Sequence, residues 1–93
     1  MSRTLDTAEI TRQLQDLPDW KADGDQIAAD FTFDDFGAAM VFVNRVAEMA
    51  EEENHHPDID IRWNKVHLVL TSHDAGGLTQ RDIEMAHRIS RGE

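Results

Sequence analysis

Two segments of alternating apolar and polar residues, one in each half of the chain, predict paired β-strands. In the first half, apolar side chains recur at every second position over 27–33, after a short segment at 20–23 and the turn signal Asp23-Gly24-Asp25. In the second half, two alternating runs flank Asn64-Lys65, which we predict to be a turn. A period of two places successive side chains on opposite faces of a strand. The sequence therefore predicts two β-hairpins, each with one apolar face.

Three further segments have helical signals. Asp6-Thr7-Ala8-Glu9 has the pattern of a capping box, and Thr79-Gln80-Arg81-Asp82 is a variant of it that begins the last helix. Between them, apolar residues spaced by three and four predict a long helix over 36–50, capped by Asp34 or Asp35. The order helix, hairpin, long helix, hairpin, helix predicts an α+β fold. We expect a four-stranded antiparallel sheet with three helices packed on one face.

The length of the chain bears on its assembly. Ninety-three residues predict a single domain over 1–93. A chain of this size buries only about 60–65% of the surface that it exposes when unfolded, so further burial between subunits is worth expecting. Phe42, Val46 and Met49 widen the apolar stripe of the long helix beyond what one sheet would cover. We therefore predict a homodimer or homotetramer.

Composition and charge exclude several classes of protein. The net charge is −10 and basic residues form no run, which argues against a nucleic-acid partner. The chain has no cysteine, which excludes disulfides, thiolate-bound metals and a cysteine nucleophile. Residues 1–6 lack the pattern of a signal peptide, and no apolar stretch approaches the roughly 20 residues that span a bilayer. We expect a cytoplasmic protein without a membrane partner.

Three of the five histidines flank the second hairpin, and they are His55, His56 and His73. Because the hairpin runs out and back, its two ends should bring these side chains together. Histidine titrates near neutral pH, so such a cluster suits proton transfer during the elimination of water. A structural role for adjacent histidines in a loop is about equally compatible with this spacing. We interpret His67 and His87 as structural residues.

A zinc site is the competing interpretation of the cluster. Three histidines can bind zinc and leave one position open for water. The sequence lacks the His-x-x-x-His spacing of a helical zinc site, however, and adjacent residues in an extended segment point to opposite sides. We predict no metal and no other cofactor.

At these residues the chain resembles the pterin-4a-carbinolamine dehydratases, a family also known as dimerisation cofactors of a hepatocyte nuclear factor. The family pattern combines charged, histidine, proline, aromatic and aspartate positions at fixed spacings, met here by Glu51, His55, His56, Pro57, Trp63, His73 and Asp82. Trp20 and the segments 31–36, 64–67 and 77–82 are also similar to the family, so the resemblance covers nearly the whole chain. One departure is Asn54, where a member of the family has an aspartate before the paired histidines. If that carboxylate orients a histidine, Asn54 would do so without charge.

The resemblance implies the fold predicted above, dimers or tetramers, and a pterin as the small-molecule substrate. The implied reaction dehydrates 4a-hydroxytetrahydropterin to quinonoid dihydropterin, which recycles the pterin cofactor of aromatic amino-acid hydroxylases. By resemblance, His55 and His73 are the acid and base groups, and His56 holds the pterin and assists proton transfer. The implied substrate-lining residues are Trp20, Glu51, Pro57 and Arg81. The alternatives are a binding module that stabilises a transcription-factor dimer and a related activity on a molybdenum-cofactor pterin.

Overall fold

A computed structural model describes residues 3–92. Its elements, in chain order, are helix α1 (Thr7–Leu14), strands β1 (Trp20–Asp23) and β2 (Gln26–Thr32), helix α2 (Phe36–Glu53), strands β3 (Asp58–Arg62) and β4 (Lys65–Leu70), a short 3-10 turn (His73–Ala75) and helix α3 (Gln80–Arg91). The strands form one antiparallel sheet in the order β1-β2-β4-β3. This confirms the predicted α+β class. Residues 1, 2 and 93 of the predicted domain lie outside the described residues.

The register of the sheet separates an apolar face from a polar one. Leu68 of β4 lies opposite Ala29 of β2 and Ile59 of β3, so these side chains share a face. His67, one residue earlier, lies opposite Asp30 and Asp60 on the other face. Buried residues of all three helices join the apolar face in one core. The helices therefore cover one face of the sheet, as predicted, and leave the polar face to solvent.

Side-chain caps fix where the helices begin. Asp35, the second of the two predicted caps of α2, accepts a hydrogen bond from the backbone N–H of Ala38 at 2.7 Å. Asp6 and Glu9 form the predicted capping box of α1. A hydrogen bond from the Arg3 side chain, helped by the bond from the backbone of Asp6, lowers the pKa of Glu9 to about 2. Ionised Glu9 therefore supports the beginning of α1 over most of the pH range.

The turn of the second hairpin is one residue earlier than predicted. Arg62 pairs with Lys65, so the turn consists of Trp63 and Asn64, and the prediction of Asn64-Lys65 is wrong. Trp63 has a positive φ of 53° and is 68% exposed. Asn64 fixes this register through two hydrogen bonds to the backbone of Phe33. Its side-chain amide donates to the Phe33 carbonyl at 2.8 Å, and its backbone carbonyl accepts from the Phe33 N–H at 2.9 Å. The predicted alternation, which included Trp63, therefore ends at Arg62.

Helix α2 buries one side, and two of its apolar residues are exposed. Ala39, Val43 and Val46 are buried against the core. Phe36 and Val41 are 50% and 60% exposed, although Phe36 was predicted within the apolar stripe. The predicted homodimer or homotetramer would cover such residues and stays a prediction. Among residues 3–92, no helix combines the length and the apolar character that crossing a bilayer requires.

Candidate functional site

The second hairpin returns the chain to the end of α2 and creates a pocket there. The pocket has a volume of about 340 Å³, within the range of small-molecule sites, and opens to solvent. It lies between the residues that follow α2, the residues that follow β4 and the first turn of α3. Its lining residues are Asn54, His55, His56, Thr71, His73, Asp74 and Arg81. The structure thus brings together all three histidines that the sequence singled out.

A buried carboxylate holds His55. The Nε2 atom of His55 lies 2.5 Å from Oδ1 of Asp82, and the two side chains are 8% and 0% exposed. The other carboxylate oxygen accepts from the Ser72 hydroxyl at 2.8 Å and from the backbone N–H of Thr79 at 2.9 Å. Because a carboxylate only accepts, Nε2 of His55 carries a hydrogen. In the neutral ring Nδ1 then has a free lone pair, which makes His55 a candidate base.

His56 is held by a second carboxylate in a more exposed position. Its Nε2 atom lies 2.6 Å from a Glu51 carboxylate oxygen, and the two side chains are 55% and 78% exposed. Glu52 and Glu53 lie 2.9 Å and 3.6 Å from the Arg88 guanidinium. Three glutamates thus stand at the negative end of the α2 dipole, an unfavourable place for acidic residues, and each has a cationic or basic group next to it.

Asn54 shapes the backbone rather than a histidine ring. It caps the end of α2 in the left-handed conformation with φ of 50°, which asparagine adopts more readily than most residues. Its carbonyl accepts a hydrogen bond from the Arg81 guanidinium at 3.1 Å. Among the described residues, the carboxylates bonded to His55 and His56 are Asp82 and Glu51. The suggestion that Asn54 replaces an orienting carboxylate is therefore not supported.

His73 lies on a turn and not on an extension of β4. The strand ends at Leu70, and His73 begins the 3-10 turn that Gly76 closes with a left-handed φ of 79°. The turn is stabilised by an isolated bridge between Ser72 and Gly77. The place of His73 in the pocket therefore comes from the turn and not from the alternation of side chains along β4. The side chain is exposed there, free to meet a ligand from solvent.

The remaining site candidates divide between the pocket and the core. Arg81 lines the pocket, with Asp74 at 3.8 Å from its guanidinium. Trp20 is only 3% exposed, and its Nε1–H donates to the Ser90 hydroxyl at 2.9 Å. Ser90 is nine residues beyond Arg81 on α3, roughly 13 Å along the helix axis. The structure therefore places Trp20 in the core, away from the histidines.

Glu51 and Pro57 stand at the edge of the site. Glu51 reaches it through its bond to His56, and half-buried Pro57 follows His56 directly in the chain. From the sequence, Asp82 has only its places in the family pattern and the capping box, and Ser72 has no predicted role. A buried hydroxyl beside a helix N-cap carries no signal of its own in a single sequence.

The donor arrangement bears on the alternative of a metal centre. Within residues 3–92, no group of three or more histidine, aspartate or glutamate side chains is arranged to hold a metal ion. His55 and His56 each direct one ring nitrogen to a carboxylate. What the site offers instead is a ring nitrogen on His55 that can accept a proton, and two exposed imidazoles near it. That combination suits general acid and base catalysis on a small molecule.

Comparison with known proteins agrees with this chemistry. The sequence profile described as pterin 4 alpha carbinolamine dehydratase matches residues 3–91. A relative from Thermomicrobium roseum is 54% identical over 86 residues, covering 92% of each chain. A second, from Thermosynechococcus vestitus, is 49% identical over 90 residues, covering 97% of this chain and 95% of the relative. Both carry the name of this dehydratase as a provisional assignment.

Solved structures show the same relationship. The crystal structure of a transcriptional coactivator/pterin dehydratase from Brucella melitensis has a TM-score of 0.92 and 33% identity, covering 97% of this chain and 98% of that one. A pterin dehydratase-like protein described as a RuBisCO assembly factor in the α-carboxysome has a TM-score of 0.65 at 19% identity, which shows the fold alone. From the profile match over almost its entire length and the identity to these relatives, the chain belongs to the pterin-4a-carbinolamine dehydratase family.

Proposed function

We propose that this protein dehydrates 4a-hydroxytetrahydropterin to quinonoid dihydropterin and water. The observation that carries the proposal is the buried His55–Asp82 pair. His55 lines the pocket together with His56 and His73. Family membership supports a dehydratase, and the pocket supplies proton-transfer groups for the removal of water. The wider role in pterin recycling rests on the resemblance to the family.

The proposed reaction assigns different roles to the two principal histidines. The Nδ1 atom of His55 removes the proton from the ring nitrogen beside C4a of the pterin. The C4a–O bond breaks, and the hydroxyl leaves as water with a proton from His73. One proton is taken and one is given, so the reaction is balanced and regenerates the site after proton exchange with solvent. His56, paired with Glu51, assists from the rim.

The direct test is turnover of freshly generated 4a-hydroxytetrahydropterin, followed by the absorbance of the quinonoid product. We expect the purified protein to accelerate dehydration well above the buffer rate, with saturation by substrate. A rate equal to that in buffer, from protein whose circular dichroism shows a folded chain, would reject the proposed activity. It would also favour a binding role, which the name of the Brucella melitensis relative associates with that protein.

We also propose that the protein acts as a homo-oligomer in the cytoplasm. The support for assembly is the exposure of apolar side chains on α2, where Phe36 and Val41 are at least half exposed. Single exposed apolar residues are ordinary, but two on one helix of so small a domain favour a subunit contact. The cytoplasmic location rests on the composition of the chain.

A further inference from the structure

We infer that Ser72 is a positioning residue that couples the two proton-transfer groups of the site, acting on His55 through Asp82. This inference rests on the proposed function for its catalytic consequence. Its structural content is independent, because it concerns how one buried hydroxyl sets the state of a histidine ring. Ser72 is 1% exposed and touches neither solvent nor the open pocket.

The hydroxyl of Ser72 belongs to a directional chain of hydrogen bonds. It donates to Oδ2 of Asp82 at 2.8 Å, since the carboxylate can only accept. With its hydrogen used in this way, its oxygen accepts from the Thr79 hydroxyl, which lies 2.9 Å away. The other oxygen of Asp82 accepts a hydrogen bond from Nε2 of His55. The chain therefore runs from Thr79 through Ser72 and Asp82 to His55.

The backbone of the same residue holds the turn that carries His73. The Ser72 carbonyl accepts from the N–H groups of Ala75 and Gly76, both at 3.0 Å, and its N–H donates to the Gly77 carbonyl at 3.2 Å. His73 is the next residue in the chain. Ser72 thus joins the base to the acid: its side chain reaches the His55 pair, and its main chain anchors the His73 turn.

Loss of the hydroxyl should have two consequences. Asp82 would keep its charge but lose one of the donors that neutralise it, so it would stabilise protonated His55 more strongly. The turn would also lose its side-chain tie to α3. A misplacement of about 1 Å in a catalytic group costs on the order of 10²-fold in rate. We expect Ser72→Ala to lower kcat about 10-fold to 100-fold with little change in KM.

The test combines kinetics with an NMR titration of the His55 ring. In Ser72→Ala the titration midpoint of His55 should rise relative to the wild type, because the partner carboxylate of Asp82 has lost a hydrogen-bond donor. The acid limb of kcat/KM should move in the same direction. The other titratable or charged side chains that line the pocket stay unchanged in this variant, and they are His56, His73, Asp74 and Arg81.

Matched variants separate positioning from a general loss of stability. Thr79→Val keeps the backbone donor to Asp82 but removes the outer hydroxyl, so it should shift the midpoint in the same direction by a smaller amount. Thr79→Ser keeps that hydroxyl and should recover most of the loss. Ile27→Val, a change in the buried core of β2, should lower the melting temperature without moving the midpoint.

The outcomes distinguish this inference from the proposed activity. A shifted His55 midpoint in protein that never turns over substrate would reject the activity and support the positioning role. Normal turnover with an unmoved midpoint and unchanged kcat in Ser72→Ala would overturn the positioning role and leave the activity intact. If Ser72→Ala does not fold, the pair Thr79→Val and Thr79→Ser decides, since an unmoved midpoint in folded Thr79→Val also overturns it.

Discussion

The substitution Asp82→Asn isolates the charge and the acceptor geometry of the buried carboxylate with almost no change in volume. In the native protein one oxygen faces His55, and the other faces two donors, the Ser72 hydroxyl and the Thr79 N–H. An asparagine has only one carbonyl oxygen. That oxygen satisfies the two donors, so the amide NH₂ group must face His55. The ring nitrogen that was a donor is then required to accept.

The forced exchange of roles moves the hydrogen of His55 to the wrong nitrogen. With Nε2 as an acceptor, the neutral ring carries its hydrogen on Nδ1, and the lone pair that serves as the base is lost. General acid or base groups typically contribute about 10²–10⁴-fold to a rate. We therefore expect kcat to fall by that order, while KM changes little because Asp82 is fully buried and does not contact the pocket. The lost charge-assisted hydrogen bond should cost about 1–3 kcal/mol of stability.

The assay is steady-state dehydration, with thermal denaturation on the same samples. The molecule contains its own control, because Asp30 lies 2.8 Å from His67 on the open face of the sheet, where their side chains are 82% and 44% exposed. Asp30→Asn changes the same pair of residue types outside the site and should leave kcat and the melting temperature near wild type. Folded Asp82→Asn with wild-type kcat would refute the reasoning that His55 acts as the base because Asp82 holds its hydrogen on Nε2.

Three other outcomes are expected. His55→Ala and His73→Ala should each lower kcat by about 10²–10⁴-fold, and the double variant should lose less than the product of the two single losses. The control His67→Ala should affect stability more than rate, and folded single variants of His55 and His73 with wild-type kcat would contradict this prediction. Because the bonded arginine lowers the pKa of Glu9 to about 2 from 4.5, its stabilising effect should be present above about pH 4.5 and lost as the pH falls toward 2. The gap in melting temperature between wild type and Glu9→Gln should therefore narrow with acid, and a constant gap would contradict it. Light scattering should show a homodimer or homotetramer at micromolar concentration that Val41→Glu weakens, and a wild-type monomer would count against assembly.

The fold could be predicted from the sequence because its signals are local. The alternation over 27–33 and the capping box at Asp6 each act within a few residues, and both correspond to structure. The prediction failed where a distant contact decided the outcome. Asn64 bonds to the backbone of Phe33, 31 positions away, and this contact places the turn one residue earlier in the chain, at Trp63 and Asn64. No local preference would place a tryptophan at a positive φ.

The candidate site shows the same division between local and distant determinants. Hairpin geometry predicts that the chain returns to the end of α2, since two antiparallel strands must return to their starting point, and the turn after β4 then sets the position of His73. The tautomer of His55 depends instead on Asp82, which the sequence indicated as a member of the family pattern and of a helix cap, with no partner for its side chain beyond that cap. A capping carboxylate has two oxygens, and here the cap and a hydroxyl use one of them. The second oxygen is free to hold a histidine 27 positions away. A residue that a single sequence explains fully by its local role can therefore have a further function that only the packing of the elements discloses.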